Sequence, residues 1–69
     1  MHAFTLAYDR RRGRWTLTND RTPRVKTSFG SKRDATRGGV LSTALRGIPA
    51  SVRIHKTTGE FQEERTYPR

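Results

Sequence analysis

Apolar side chains in this chain arrive two residues apart, and there are few of them. Phe4, Leu6 and Tyr8 fall on one side of an extended segment, with Thr5 and Ala7 on the other. That is the period of a strand with one buried face. It returns at Trp15 and Leu17 against Thr16 and Thr18, then at Val25, Thr27 and Phe29, then at Val52 and Ile54 against Arg53 and His55. A weaker run over 60–66 has Phe61 as its one strong anchor. Asp9 to Gly13 suits a hairpin. Asn19-Asp20, Pro23 and Lys56-Thr57-Thr58-Gly59 supply turn chemistry between the other runs.

Between the third and fourth runs the period changes. Residues 32–46 place Ala35, Gly38, Leu41, Ala44 and Leu45, and then Ile48, on one side at helical spacing. Ser31, three residues before Asp34, reads as the N-cap, and Gly47 and Pro49 as the stop. Gly38-Gly39 inside the run costs about 1 kcal/mol per glycine relative to alanine. The pair therefore predicts a close approach of helix backbone to sheet. The order β-β-β-α-β-β predicts an α+β fold, a small antiparallel sheet with one helix packed on one face. The expected core is Phe4, Leu6, Trp15, Leu17, Val25, Phe29, Leu41, Leu45, Ile48, Val52, Ile54 and Phe61. The expected organisation is one domain over 1–69, with a short flexible tail from about residue 67.

Only 30% of the 69 residues are hydrophobic and none is cysteine. A core this small leaves the chain marginally stable, and no disulfide can reinforce it. Such a composition approaches that of disordered chains, but the patterning argues for a fold. A homodimer would add buried area. His2 and His55 are the only histidines, and no cluster of metal ligands or cofactor motif is present. No run approaches the roughly 20 apolar residues of a membrane span. Met-His-Ala-Phe does not open a signal peptide, so the expectation is a cytoplasmic protein with no membrane partner.

The formal net charge is +9, and ten of the fifteen basic residues lie within the first 37. Such a chain attracts polyanions. Arg10-Arg11-Arg12 and Arg14 would crown the first hairpin, where guanidinium forks could track phosphates, and Arg24, Lys26, Lys32, Arg33 and Arg37 follow. Arg53 stands apart on the open sheet face. The plainer reading of the arginine run is a solvated turn. Trp15 and Tyr8 share strand faces with Leu17 and Leu6 and read as core, which leaves Tyr67 in the tail as the better base-stacking candidate. Gly30-Ser31-Lys32 lacks the spacing of a phosphate-binding loop. His55 has no nucleophile and carboxylate to complete a triad, and Glu60, Glu63 and Glu64 read as partners for Arg53 and Arg65. The expected function is a non-catalytic module that binds DNA or RNA through phosphate contacts. The alternative is a protein–protein interaction or oligomerisation module.

Several short motifs also come in a recognisable order. Trp15 opens the second strand, Phe29-Gly-Ser-Lys32-x-x-Ala35 enters the helix, and Val-Arg-Ile-His55-Lys56 forms the next strand. Thr-Thr-Gly59 and a closing acidic strand ending Thr66-Tyr67 complete the series. This arrangement resembles the small bacterial family called domain of unknown function 2188 over nearly the whole chain. Thr58 stands where that family tends to have Asp or Asn, and Gly38-Gly39 where its helices are Ala- and Arg-rich. The resemblance implies the α+β fold. The family carries no established activity, so no functional residue follows from it.

Overall fold

A computed structural model describes residues 2–22 and 24–67. Pro23, Pro68 and Arg69, assigned above to a turn and a tail, lie outside the described residues. The strands are β1 (His2–Asp9), β2 (Arg14–Asn19), β3 (Val25–Phe29), β4 (Ala50–His55) and β5 (Phe61–Tyr67). Two short helices, α1 (Lys32–Thr36) and α2 (Val40–Leu45), join β3 to β4. The five strands form one sheet in the order β3-β2-β1-β4-β5.

The sheet is mixed, which corrects the antiparallel expectation. The pairs β1–β2, β2–β3 and β4–β5 are antiparallel, but β1 and β4 run parallel, with Phe4 beside Val52 and Leu6 beside Ile54. The cause is the helical connection. It carries the chain from the end of β3 back to the other end of the sheet, so β4 enters in the direction of β1. A parallel neighbour requires a crossover of this kind, whereas a hairpin cannot supply it. The strand pair with the longest sequence separation thus sits at the centre.

The single helix expected over 32–46 is also corrected. Ser31 caps α1 as anticipated, its Oγ accepting the Asp34 N–H at 3.1 Å. Arg37 then leaves the helical region at ψ 150°, and Gly39 takes φ +85° to start α2. A second helix axis needs this left-handed turn, and glycine adopts it without steric cost. A Cβ placed on Gly38 or Gly39 would meet nothing within 4 Å, so neither glycine marks a close approach to the sheet. At the far end Arg46 and Gly47 both adopt positive φ, and the Arg46 N–H closes the helix onto the Ser42 and Thr43 carbonyls.

The core lies between the helices and one sheet face. Leu6, Leu17, Leu41, Leu45, Val52 and Ile54 are fully buried, joined by Phe4, Trp15, Ala35, Ala50 and Tyr67. Each large aliphatic side chain removed from water stabilises the fold by roughly 1.5–3 kcal/mol. Phe29 and Ile48 are only half-buried. Two expected core residues are on the wrong face: Val25 is 41% and Phe61 57% exposed. Bulges explain both. Leu17 faces Thr27 but Thr18 faces Val25, so Lys26 is an extra residue in β3. Ile54 faces Glu63 but His55 faces Phe61, so Gln62 is an extra residue in β5. One inserted residue reverses the facing of everything beyond it. Tyr67 takes the inward position on β5 instead, opposite Ala50 and 6% exposed, so β5 extends through the start of the expected tail.

The outer face mixes threonine and serine with charged and apolar side chains. Val25, Thr18, Thr5, Arg53 and Glu64 form one cross-strand row, and Ser28, Thr16 and Ala7 another. No helix of the described residues is long and apolar enough to cross a membrane.

Candidate nucleic-acid interface

Strand direction sorts the basic residues. At the end of the sheet where β1 and β3 finish and β2 begins stand Arg10, Arg11, Arg12, Arg14, Lys32 and Arg33. The β4–β5 turn reaches the same end because β4 is parallel to β1, and it adds Lys56. Sequence reasoning missed Lys56, since only the direction of β4 puts it there. Arg24 and Lys26 lie at or near the opposite end, where β3 begins. Arg37 terminates α1 in the helical layer, and Arg53 lies on the outer sheet face. The ten expected contact residues therefore do not form one surface. Six of them gather at one end.

The hairpin tip is built on Asp9. Its carboxylate Oδ1 accepts the backbone N–H groups of Arg11 at 3.0 Å and Arg12 at 3.3 Å, and its carbonyl accepts that of Gly13 at 2.8 Å. An Asp side chain folded back on the next turn of backbone is the usual way this residue stabilises a reversal. The Arg12 guanidinium stays within 3.7 Å of the carboxylate. Arg10 and Arg11 are exposed and form no ion pair among the described residues. Arg14 turns across the outer face, its Nε donating to Ser28 Oγ at 3.1 Å. Its charge is thereby held between β2 and β3.

Lys32 is anchored at two points. Its ammonium lies 5.6 Å from the centre of the Trp15 ring and donates to Gln62 Oε1. A cation over an indole face is held by the ring quadrupole. Lys26, at the other end, lies 6.0 Å from the Phe4 ring centre on the helix side. Arg53 is matched by Glu64, with Nε 3.4 Å from Oε1. Arg65 pairs with Glu63 at 3.2 Å and donates to the Thr36 carbonyl. The Tyr67 hydroxyl and then Glu63 hold the Arg65 guanidinium above its ordinary pKa, strengthening its grip on its proton. The glutamates of β5 thus serve arginines of the same hairpin, as their alternation suggested.

Two of the three stacking candidates are buried in the core, and Tyr8 is partly covered. Trp15 and Tyr67 are each 6% exposed, and Tyr8 packs on Trp15 with ring centres 5.8 Å apart. The exposed aromatic is Phe61, whose ring meets His55 edge to face at 6.2 Å on the outer surface. His55 Nδ1 lies 2.8 Å from the Gly59 carbonyl, so the neutral imidazole carries its proton on that nitrogen. Among the described residues no three His, Cys, Asp or Glu side chains are grouped as metal ligands.

Neither a curated protein nor a solved structure matches the chain. A family model does, over residues 5–67, a span that begins within β1 and runs to the end of β5. It is described as "Uncharacterized protein conserved in bacteria (DUF2188)", the family whose motif order the sequence resembles. On that match across nearly the whole fold, the chain belongs to the DUF2188 family.

Proposed function

We propose that this protein is a non-catalytic nucleic-acid-binding module that grips phosphates with the cationic end of its sheet. One observation carries the reading. Arg10, Arg11, Arg12 and Arg14, then Lys32 and Arg33, then Lys56 come from three separate connections, and the topology delivers all of them to one end. Against these seven basic residues the same connections bring three acids, Asp9, Asp34 and Glu60, of which Asp9 is engaged by backbone N–H groups of its own turn. Neighbouring strands lie about 4.8 Å apart, so a five-stranded sheet spreads these cations over roughly 20 Å. That span suits several successive phosphates. Among the described residues the outer face offers Phe61 and His55 as its stacking rings, which favours backbone contacts over base readout.

About five phosphate contacts on duplex DNA predict that log K falls with log salt at a slope of roughly −4 to −5. The test is fluorescence anisotropy of labelled duplex and single-stranded DNA and RNA at about 50 and 200 mM salt, a range over which such binding changes steeply. Arg11→Glu with Arg12→Glu should reduce the affinity and flatten the slope by about one unit per lost contact. Arg24→Glu with Lys26→Glu makes the same change in net charge near the other end and should leave the slope nearly unchanged. Equal losses from the two double variants would show that total charge alone is being read, and would overturn the assignment. So would the absence of binding at the lower salt.

A further inference from the structure

Phe61 opens β5 at the cationic end of the sheet, opposite His55 and beside the turn that carries Lys56. The bulge exposes its ring. Glu63 faces Ile54, so in an unbroken register Gln62 would face His55 and Phe61 would turn toward the helices. Bulges beside binding sites commonly re-aim a side chain in this way. Gln62 itself accepts a hydrogen bond from the Lys32 ammonium, which pins the bulge. His55 is held too, with Nδ1 2.8 Å from the Gly59 carbonyl and its ring edge to face with Phe61. The exposed ring is thus a supported platform. Leu6 pairs with Ile54, so Ala7 and His55 stand one step further along at a common level. Phe61, His55, Ala7, Thr16 and Ser28 therefore make a row across all five strands on the outer face. Arg14 lies at the far side of the row, bonded to Ser28. From β5 to β2 is three strand spacings, roughly 14 Å. Between the rings and Arg14 the row has the short side chains of Ala7 and Thr16.

We propose that this row takes a single strand of nucleic acid, with one unpaired base stacked on Phe61 and the backbone running toward Arg14, a reading that rests on phosphate binding at the cationic end. Stacking needs an exposed ring, and the backbone needs cations beside it. The row supplies the ring, while Arg14, Lys56 and the arginines of the hairpin tip supply the cations at the same end. A duplex keeps its base faces within its own stack and would use the cations alone, whereas an unpaired base can use both. Stacking of this kind accepts any base, because every base has a π-face, so it adds affinity without sequence readout. Three carboxylates lie nearby. Asp9 is folded onto its own turn and Glu64 faces Arg53 at 3.4 Å, while Glu60 lies across the β4–β5 turn from Lys56, whose N–H its carbonyl accepts. A second copy of this chain fits the row less well, since it would bring a like cluster of cations, on a net charge of +9, against the same end.

The probe is a fluorescein-labelled thymidine strand of about 12 nucleotides, within the range that one small domain covers. Its control has the same sugar-phosphate backbone and length with abasic sites in place of the bases. The two carry equal charge, so phosphate contacts treat them alike. The protein should bind the thymidine strand at least about fivefold more tightly, the effect of one stacked base. Phe61→Ala should remove that preference and leave the salt slope unchanged, and it spares the core because the ring stands outside it. Phe61→Trp should keep the preference. Arg11→Glu with Arg12→Glu should weaken the binding of both strands and preserve their ratio. Equal, salt-dependent binding of the two strands overturns the stacking proposal and leaves phosphate binding in place, whereas no binding of either at about 50 mM salt removes both. A preference that survives Phe61→Ala in the folded protein, or is lost in Phe61→Trp, overturns the proposal. So does tighter binding of a duplex of the same length than of the thymidine strand. Self-association that Phe61→Ala abolishes would assign the ring to a second copy, and would overturn it too.

Discussion

Tyr67→Ala and Phe61→Ala remove aromatic rings from the two ends of one strand, and the β5 bulge makes their costs unequal. Tyr67 is 6% exposed and packs on the helix side opposite Ala50, while Phe61 is 57% exposed on the outer face. Truncating a buried aromatic loses its transfer free energy and leaves a cavity, about 3–4 kcal/mol in total. Phe61 has less than half of its surface covered, so its share of the burial term is about 1 kcal/mol, with no enclosed cavity to add. A 69-residue domain at ordinary stability holds roughly 3–10 kcal/mol in all. Tyr67→Ala should therefore consume a large part of the stability, and Phe61→Ala only a small part. Urea unfolding read by the fluorescence of Trp15, the single tryptophan, measures both. If Phe61→Ala costs as much as Tyr67→Ala, Phe61 is part of the core and the bulge at Gln62 is misassigned.

Three further outcomes follow from local geometry. Gly39→Ala should destabilise by about 1–2 kcal/mol because a Cβ is forced to positive φ, whereas Gly38→Ala, with open space and no such constraint, should gain up to about 0.5–1 kcal/mol; paired thermal melts decide this. Ser31→Ala removes the acceptor for the Asp34 N–H and should cost about 1 kcal/mol in the same assay. Lys32→Met keeps the aliphatic stem but removes the ammonium above Trp15, and should cost about 0.5–1 kcal/mol and shift the Trp15 emission.

Alternation alone places β1, β2 and β4, because Leu6, Leu17, Val52 and Ile54 sit in unbroken two-residue registers with one face buried. Both edge strands mislead for a common reason. The inserted residues are Lys26 and Gln62, ordinary side chains with no turn signature, so nothing in the sequence marks the point where facing reverses. Gly38-Gly39 is legible as an irregularity, but a tight helix–sheet contact and a helix break call for the same residues, and only the φ of Gly39 separates them. The arginine cluster at the first hairpin is visible directly in Arg10-Arg11-Arg12. Its convergence with Lys32, Arg33 and Lys56 is not, because that depends on the direction of β4, which turn chemistry does not specify.

The parallel pairing of β1 with β4 has a consequence for how the chain reaches this structure. The β1–β2–β3 meander and the β4–β5 hairpin are each closed by short connections, while Leu6 meets Ile54 only after the whole intervening chain is in place. Long-range pairings of this kind slow folding, because chain closure must precede the contacts that reward it. Until the two halves meet, their inner edges stand open, and these carry Phe4, Leu6, Val52 and Ile54, among the most apolar residues of the sheet. The outer edges are interrupted by bulges, a known protection against unwanted pairing, but the inner edges have none during this interval. Joining of the halves should limit the rate, so Val52→Ala should slow refolding in stopped-flow experiments, while Ser31→Ala mainly speeds unfolding. Aggregation during refolding should rise with protein concentration even though the finished molecule, with its large positive charge, repels its own copies.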